Sequence, residues 1–244
     1  MVPAGESQLT KEQRVRLEPI KILSSMATRE VLSELAQRHG RDAGQPVELE
    51  SAGGVAVAQR VQSGESVDVV VLAAAVIDKL TAEGKLQPGS RVDIARSGIG
   101  MAVGSGKARP DVGSGDAVKA AVLAARTVGY STGPSGNYLL QLFERWGIAG
   151  QLAGRIVQAP PGVPVASLVA RGEVELGFQQ LSELMNVPGI DVLGPLPDDI
   201  QSITVFSGAV SSGCSCPEQA RALLAYLAGP EATACKRANG MDAA

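Results

Sequence analysis

Apolar positions follow two different periods along the chain, and these periods predict helices and strands in alternation. Apolar residues at helical spacing predict a helix over residues 28–39, which Gly40 would end, and residues 67–73, which are rich in β-branched apolar side chains, predict a buried strand. Helical and strand patterns continue to alternate in βαβ order through most of the chain. This order favours mainly parallel sheets flanked by helices, so the fold class is predicted to be α/β.

Two segments of the chain share one pattern. Residues 57–70 and residues 165–177 both show a helical stretch, a Gly-Glu turn, a further acidic residue and a buried strand. The two halves of the chain are therefore predicted to be similar βαβ lobes.

A loop of small residues over positions 129–138 (Gly-Tyr-Ser-Thr-Gly-Pro-Ser-Gly-Asn-Tyr) gives the clearest functional signal. It follows a predicted strand and leads into a predicted helix at residues 139–146. The first N–H groups of a helix have no partner within the helix, and the helix dipole is positive there. Because glycine and serine let an anion approach these groups, the loop is predicted to bind a small anionic ligand.

Composition and charge narrow the possible partners. The 244-residue chain is 45% hydrophobic and 19% charged, as is typical of a soluble protein with a substantial core. A net charge of −3 and an aromatic content of 3% provide neither a basic surface nor stacking surfaces for nucleic acid. No apolar run reaches the roughly 18 residues of a membrane-spanning helix. We therefore expect no nucleic-acid partner and no membrane insertion.

The first 18 residues are polar and lack the apolar core of a signal peptide, so they predict an N-terminal extension. The expected location is the periplasm if a leader has been removed, and the cytoplasm if Met1 is the native start.

The cysteines and the single histidine predict no metal and no cofactor. Cys214 and Cys216 are too close in sequence for an ordinary disulfide or a zinc knuckle, and Cys235 leaves an odd number. All three are interpreted as simple thiols. His39 is predicted at a helix end, where a cation complements the helix dipole.

Several short motifs together resemble the type II periplasmic solute-binding proteins, and more closely their molybdate-binding-protein-like branch. The resemblance runs from about residue 20 to residue 242. The motifs that carry it lie at residues 22–26, Gly53-Gly54, Arg60, residues 63–65 and 68–71, residues 135–138, 171–173 and 177–180, and residues 227–232. The run Gly-Phe-Gln-Gln-Leu-Ser-Glu at 177–183 is similar to a sub-branch that includes aconitate isomerase.

The resemblance implies a two-lobed clamp in which each lobe is a mostly parallel sheet flanked by helices. Two crossover strands, near residues 98–104 and 203–210, would join the lobes. Lobe one would comprise residues 19–99 and 207–244, and lobe two residues 100–206. The protein is expected to be a monomer.

In such a clamp the ligand lies in the cleft, so the resemblance also implies a set of ligand contacts. These are Ser24, Ser25, Met26, Gly53, Gly54, Ala73, Ser135, Gly136, Asn137, Pro164, Val165, Gln179 and Gln180, and their positions in the sequence add Arg29 and Tyr138 as candidates. Neutral donors of this kind hold an anion without an ion pair, so release remains possible. Arg29 could add a guanidinium for a tricarboxylate. Strand alternation predicts that only one of Gln179 and Gln180 faces the cleft.

Two functions of different class remain open. One is an ABC-transporter-type substrate-binding protein for an oxyanion such as molybdate or an organic di- or tricarboxylate, which works with an ABC permease if it is exported. The other is a clamp-fold isomerase that shifts an allylic proton on a tricarboxylate such as aconitate; a cytoplasmic ligand sensor is a weaker third option. An isomerase needs a positioned base, and the predicted cleft loops offer no carboxylate other than Glu50. The catalytic residue is therefore unknown, and binding alone is the simpler hypothesis.

Overall fold

The computed structural model describes residues 18–244, which form two β-sheets flanked by helices. The predicted extension at residues 1–18 lies outside the described residues, apart from Glu18. The strands are β1 (Ile20–Ser25), β2 (Val47–Ala52), β3 (Val69–Ala73), β4 (Val92–Ser97), β5 (Ile99–Gly104), β6 (Val128–Tyr130), β7 (Ile156–Gln158), β8 (Leu176–Gln180), β9 (Ile190–Pro195), β10 (Thr204–Val210) and β11 (Asp242–Ala243). The α-helices are α1 (Arg29–Ala43), α2 (Gly54–Gln62), α3 (Ala74–Ala82), α4 (Gly115–Ala124), α5 (Pro134–Arg145), α6 (Val165–Ala170), α7 (Leu181–Leu184), α8 (Pro217–Ala228) and α9 (Thr233–Ala238).

The first sheet has the order β11-β4-β10-β3-β1-β2, and the second has the order β7-β6-β8-β5-β9. In the first sheet β1 runs parallel to β2 and β3, whereas β10 is antiparallel to β3 and β4. In the second sheet β6 runs parallel to β7 and β8, whereas β5 is antiparallel to β8 and β9. The α/β prediction is confirmed, but the sheets are mixed rather than mostly parallel, because each contains antiparallel strands beside its parallel trio.

The repeated pattern in the sequence corresponds to a repeated topology. Helix α2 leads through a turn at Gly64 into β3, and α6 leads through a turn at Gly172 into β8. Both glycines have positive φ, +87° and +74°, a conformation that favours glycine. Strands β1, β2 and β3 therefore correspond to β6, β7 and β8.

The chain passes from the first sheet to the second at Gly98, between β4 and β5, and returns between β9 and β10. The side chain of Gln201 connects the two passages. Its Oε1 accepts from the N–H of Ile99 at 2.8 Å, and its Nε2 donates to the carbonyl oxygens of Ile99 and Leu196 at 3.1 Å each. The lobe boundaries at 99/100 and 206/207 stay predictions.

Four clusters of buried apolar side chains cover the faces of the sheets. In the first sheet, one cluster packs residues of β1 against α1 and α8, and another packs β3 against α2 and α3. Helix α1 continues past the predicted stop at Gly40 and ends before Gly44, which has φ +67°. Within residues 18–244, no helix is long and apolar enough to cross a membrane.

Candidate functional site

A cavity of about 460 Å³ lies between the two sheets and is lined by residues of both. It opens where parallel strands of both sheets end. Strands β1, β2 and β3 lead into it through Ser25, the Ala52–Gly54 segment and Ala73, and β6 and β8 lead into it from the other side. The carboxyl edge of parallel strands is where α/β proteins usually bind ligands. Small-residue loops that are far apart in the sequence thus share one cavity.

The wall from the first sheet is formed by small residues and by the starts of helices. Ser25, Met26, Gly53, Gly54 and Ala73 all line the cavity. Helices α2 and α3 begin at Gly54 and Ala74, and no side chain caps either N-terminus. Their first backbone N–H groups therefore remain available to a ligand.

The wall from the second sheet is a polar loop before α5. Ser131 and Ser135, whose hydroxyl oxygens are 2.9 Å apart, both line the cavity, as does Asn137. Helix α5 starts at Pro134 without a side-chain cap. By contrast, α4 does not border the cavity, and its N-terminus is capped by Ser114, whose hydroxyl accepts from the N–H of Ala117 at 3.2 Å.

Gly136 supports this loop from behind and does not line the cavity. A Cβ at this position would lie 1.8 Å from the carbonyl oxygen of Ser131 and 3.0 Å from the ring of Tyr130. Only glycine allows the loop to fold this closely onto the first turn of α5.

Gln179 and Gln180 both line the cavity, which corrects the prediction that only one would. Strand β8 ends at Gln180 and the chain turns directly into α7, so the alternation of side chains stops there. The Gln179 amide is fixed by two hydrogen bonds: its Oε1 accepts from the N–H of Ala166 at 3.3 Å, and its Nε2 donates to Glu183 at 2.8 Å. The Gln180 amide donates to the carbonyl oxygens of Ser97 and Gly98 and accepts from the Thr204 hydroxyl.

Glu183 is the main residue that the sequence did not reveal. Glu183 lines the cavity, and burial raises the pKa of its carboxyl to about 7, while the hydrogen bond from Gln179 lowers it in part. This corrects the expectation that the cleft contains no carboxylate other than Glu50. Glu50 instead pairs with Arg60, whose hydrogen bonds lower the pKa of Glu50, and it does not line the cavity. The only sequence signal for Glu183 is its position three residues after the predicted cleft residue Gln180.

Lys79 of α3 is a second charged residue of the lining that sequence reasoning missed. Its ammonium lies 3.9 Å from Glu83 and its side chain is largely exposed. Among the described lining residues, Lys79 and Glu183 are the two with an ionisable side chain, so they carry the charge of the site.

Several predicted contacts lie elsewhere. Ser24 turns to the hydroxyl of Ser51 at 2.8 Å, and Val165 is buried in a core cluster, although its neighbour Pro164 lines the cavity. The Tyr138 hydroxyl donates to the carbonyl oxygen of Ile200 at 2.9 Å, and its ring packs below the guanidinium of Arg145.

Arg29 lines a second, smaller cavity of about 290 Å³. Met26, Pro164 and Glu183 border both cavities, so the two are neighbours that share one wall. The Ser182 hydroxyl is buried beside the smaller cavity without a hydrogen-bond partner.

Comparisons with known proteins agree with this geometry. Residues 20–242 match the family model described as bacterial extracellular solute-binding protein. An aconitate isomerase from Pseudomonas sp. is 38% identical over 228 residues, which cover 91% of this chain and 87% of that protein.

Two solved structures show the same fold. The periplasmic molybdate-binding protein of Azotobacter vinelandii is 22% identical and superposes with a TM-score of 0.77, covering 91% of this chain and 98% of that one. A periplasmic thiamin-binding protein is 16% identical with a TM-score of 0.72, covering 98% of this chain and 84% of that one. The predicted type II clamp fold is thereby confirmed, and the chain belongs to the family of bacterial extracellular solute-binding proteins.

Proposed function

We propose that the larger cavity binds a small organic di- or tricarboxylate and that the protein serves as the substrate-binding component of an ABC-type transporter. One observation carries this proposal: the uncapped N-termini of α2, α3 and α5, from both sheets, open into one cavity. Free N–H groups and the positive helix ends attract anionic groups from two sides. A ligand with more than one carboxylate can contact both walls.

The size of the cavity favours an organic acid over a tetrahedral oxyanion. Its volume of about 460 Å³ lies within the range of pockets for organic ligands, roughly 300–1,000 Å³. Apolar residues such as Val76 and Phe206 line part of it, and these suit the carbon skeleton of a ligand rather than a bare oxyanion. Lys79 at the rim can meet one carboxylate, and Ser135 and Asn137 can donate to another.

A thermal-shift screen tests this proposal. Di- and tricarboxylates are expected to raise the melting temperature by several degrees at saturating concentration, because a ligand at 100 times its Kd adds about 2.7 kcal/mol of stability. Molybdate and sulfate are expected to produce smaller shifts. If no carboxylate raises the melting temperature at millimolar concentration, the proposed ligand class is wrong.

Asn137→Asp supplies a nearly isosteric probe of the charge preference. The substitution places a negative charge in the cavity. Helix α5 itself should tolerate the aspartate, because a negative charge near the N-terminus of a helix interacts favourably with the helix dipole. Carboxylate affinity is expected to fall about tenfold or more, because like charges a few ångströms apart repel strongly near a protein surface. Ser114→Asp is the matched control, since it adds the same charge at the N-terminus of α4 outside the cavity. Equal losses of carboxylate affinity in the two variants would contradict a direct contact between Asn137 and the ligand.

Isomerisation of the bound carboxylate is a second candidate function, and two observations favour it. The relative that is 38% identical over most of its length is an aconitate isomerase. The cavity also contains Glu183, whose pKa of about 7 suits a group that must both accept and return a proton near neutral pH.

The step that Glu183 could perform is an allylic proton shift. The ionised carboxyl takes a proton from the carbon beside the ligand's double bond, and the resulting negative charge spreads over the allylic system into the adjacent carboxylate. The protonated carboxyl then returns the proton to the far end of that system, so the double bond moves and no other reactant is consumed. Gln179 holds the carboxyl in place through its 2.8 Å hydrogen bond.

Incubation with trans-aconitate, followed by chromatography of the acids, tests the isomerase. Glu183→Gln is expected to lower turnover by about 10²- to 10⁴-fold while the carboxylate-induced thermal shift persists. Glu50→Gln is the control, since this carboxylate lies outside the cavity. No turnover by the unaltered protein, together with a normal thermal shift, would exclude the isomerase and leave the binding function intact.

A further inference from the structure

Three side chains with metal-binding atoms meet at the end of the first sheet that faces away from the cleft. Asp68 immediately precedes β3, while Cys214 and Cys216 lie between β10 and α8. One carboxylate oxygen and the two Sγ atoms all lie within 4.8 Å of one another. Because β3 leads away from Asp68 towards the cavity, its five residues place the cluster roughly 16 Å from the cleft.

Backbone hydrogen bonds hold the loop that carries the two cysteines. The N–H of Ser211 donates to the carbonyl oxygen of Asp68 at 2.8 Å, and the N–H of Ser212 donates to that of Lys85 at 3.0 Å. The N–H of Cys214 donates back to the carbonyl oxygen of Ser211 at 3.1 Å, which forms a turn. The loop is thus fixed directly to the residue that supplies the carboxylate.

Asp68 and the start of α8 are also fixed. The Oδ2 of Asp68 accepts from the backbone N–H of Lys21 at 2.9 Å, which orients the carboxyl and leaves its second oxygen for another partner. Cys216 is the N-cap residue of α8, where its carbonyl oxygen accepts from the N–H of Ala220 at 3.0 Å. All three side chains are half-buried, so the cluster remains reachable from solvent.

We propose that Asp68, Cys214 and Cys216 form a binding site for a thiophilic divalent cation of the zinc class. Two sulfurs and one carboxylate oxygen match the ligands that zinc prefers, whereas magnesium and calcium prefer oxygen alone. Tetrahedral coordination with zinc–sulfur bonds of about 2.3 Å requires sulfurs roughly 3.8 Å apart, so only a small contraction of the cluster is needed. A fourth position remains open to water or to an added ligand.

Cys214 and Cys216 are separated by one residue in the sequence, a spacing that predicts simple thiols. That separation is too short for a zinc knuckle with two pairs of cysteines, but the fold adds Asp68 from a distant segment. Cation binding displaces a proton from each thiol and links the start of β3 to the start of α8. It is therefore expected to stabilise the first sheet without contact with the cleft.

Titration of the full chain with zinc, and with cadmium as a spectroscopic probe, tests the site under a non-thiol reductant. One equivalent of cadmium is expected to bind and to produce thiolate charge-transfer absorbance, which a large excess of zinc is expected to reduce by competition, and zinc alone is expected to raise the melting temperature. Magnesium in excess is expected to do neither.

The variants identify the ligands. The double substitution Cys214→Ser/Cys216→Ser is expected to lower zinc affinity at least about 100-fold, and Asp68→Asn about tenfold or more. Cys235→Ala is the matched control, because Cys235 is buried in the core and is not one of the three clustered residues. The proposal is overturned if the double variant binds zinc as tightly as the unaltered protein, if Asp68→Asn has no effect on affinity, or if the unaltered protein binds no stoichiometric zinc or cadmium.

Discussion

The two walls of the cleft differ in what they can offer a ligand. The wall from the first sheet presents small residues and the backbone at the starts of α2 and α3, with Lys79 at the rim. The wall from the second sheet presents fixed polar side chains, namely the Ser131–Ser135 pair and the chain of hydrogen bonds from Ala166 through Gln179 to Glu183.

This difference arises although the two sheets repeat one topology. A backbone wall without large side chains adapts to the outline of different ligands, whereas a network of fixed amides and hydroxyls selects particular groups and positions them. We infer that ligand selection, and any chemistry on the ligand, depend chiefly on the second wall. Three substitutions test how differently the two walls are constrained, in order of decreasing expected effect on stability.

Gly136→Ala is expected to disrupt the second wall most strongly. The added methyl would lie 1.8 Å from a backbone oxygen, which cannot move without the loop, so stability should fall by about 3 kcal/mol or more. Gly133→Ala is the matched control in the same loop, since its nearest neighbour is the Ser131 hydroxyl at 3.7 Å. Denaturant unfolding of both variants measures the difference, and similar values would show that the close approach at Gly136 is unimportant.

Glu183→Gln is expected to change how stability depends on pH. The folded-state pKa of Glu183, about 7, lies above its ordinary value of 4.5, so the folded state holds this proton more tightly than the unfolded state does. Stability should therefore decrease as the pH rises from about 4.5 through 7, by about 3 kcal/mol in total.

The glutamine variant should lack this decrease and should be more stable than the unaltered protein at pH 8. Denaturant unfolding across the pH range measures both curves. Glu50→Gln is the control in which stability depends on pH in the opposite direction. Arg60 lowers the pKa of Glu50, so the stability that this ion pair contributes is lost at low pH. Parallel curves for the unaltered protein and Glu183→Gln would contradict the raised pKa.

Gly53→Ala is expected to have the smallest effect. The nearest atom to an added Cβ is the backbone nitrogen of Gly162 at 4.0 Å, and Gly53 has an ordinary negative φ of −58°. Stability should change by less than about 0.5 kcal/mol, as measured by thermal unfolding. A loss comparable to that of Gly136→Ala would show that the first wall is as tightly constrained as the second.

The sequence predicted the loops of the site better than its ionisable groups. Runs of glycine and serine after apolar strands located Ser25, Gly53, Gly54 and the loop before α5, because small residues between a strand and a helix leave the helix N-terminus open to a ligand. Glu183 was missed because its short helix α7 has no clear helical period. Its desolvation also depends on packing between elements that are distant in the chain.

The meeting of Asp68, Cys214 and Cys216 was not predicted from the sequence for a related physical reason. The carboxylate nearest to Cys214 and Cys216 in the sequence is that of Glu218, which is not part of the cluster, whereas Asp68 precedes them by more than half the chain. Regular secondary structure follows local patterns, whereas the meeting of polar side chains depends on how the elements are arranged.

Glu183 borders both the larger and the smaller cavity. Exposed Arg29 and Glu30 line the smaller cavity, so it offers Glu183 a second route to solvent. Water could thus exchange protons with Glu183 while a ligand fills the larger cavity, and the carboxyl could be reset between ligands along a path that does not pass through the binding site.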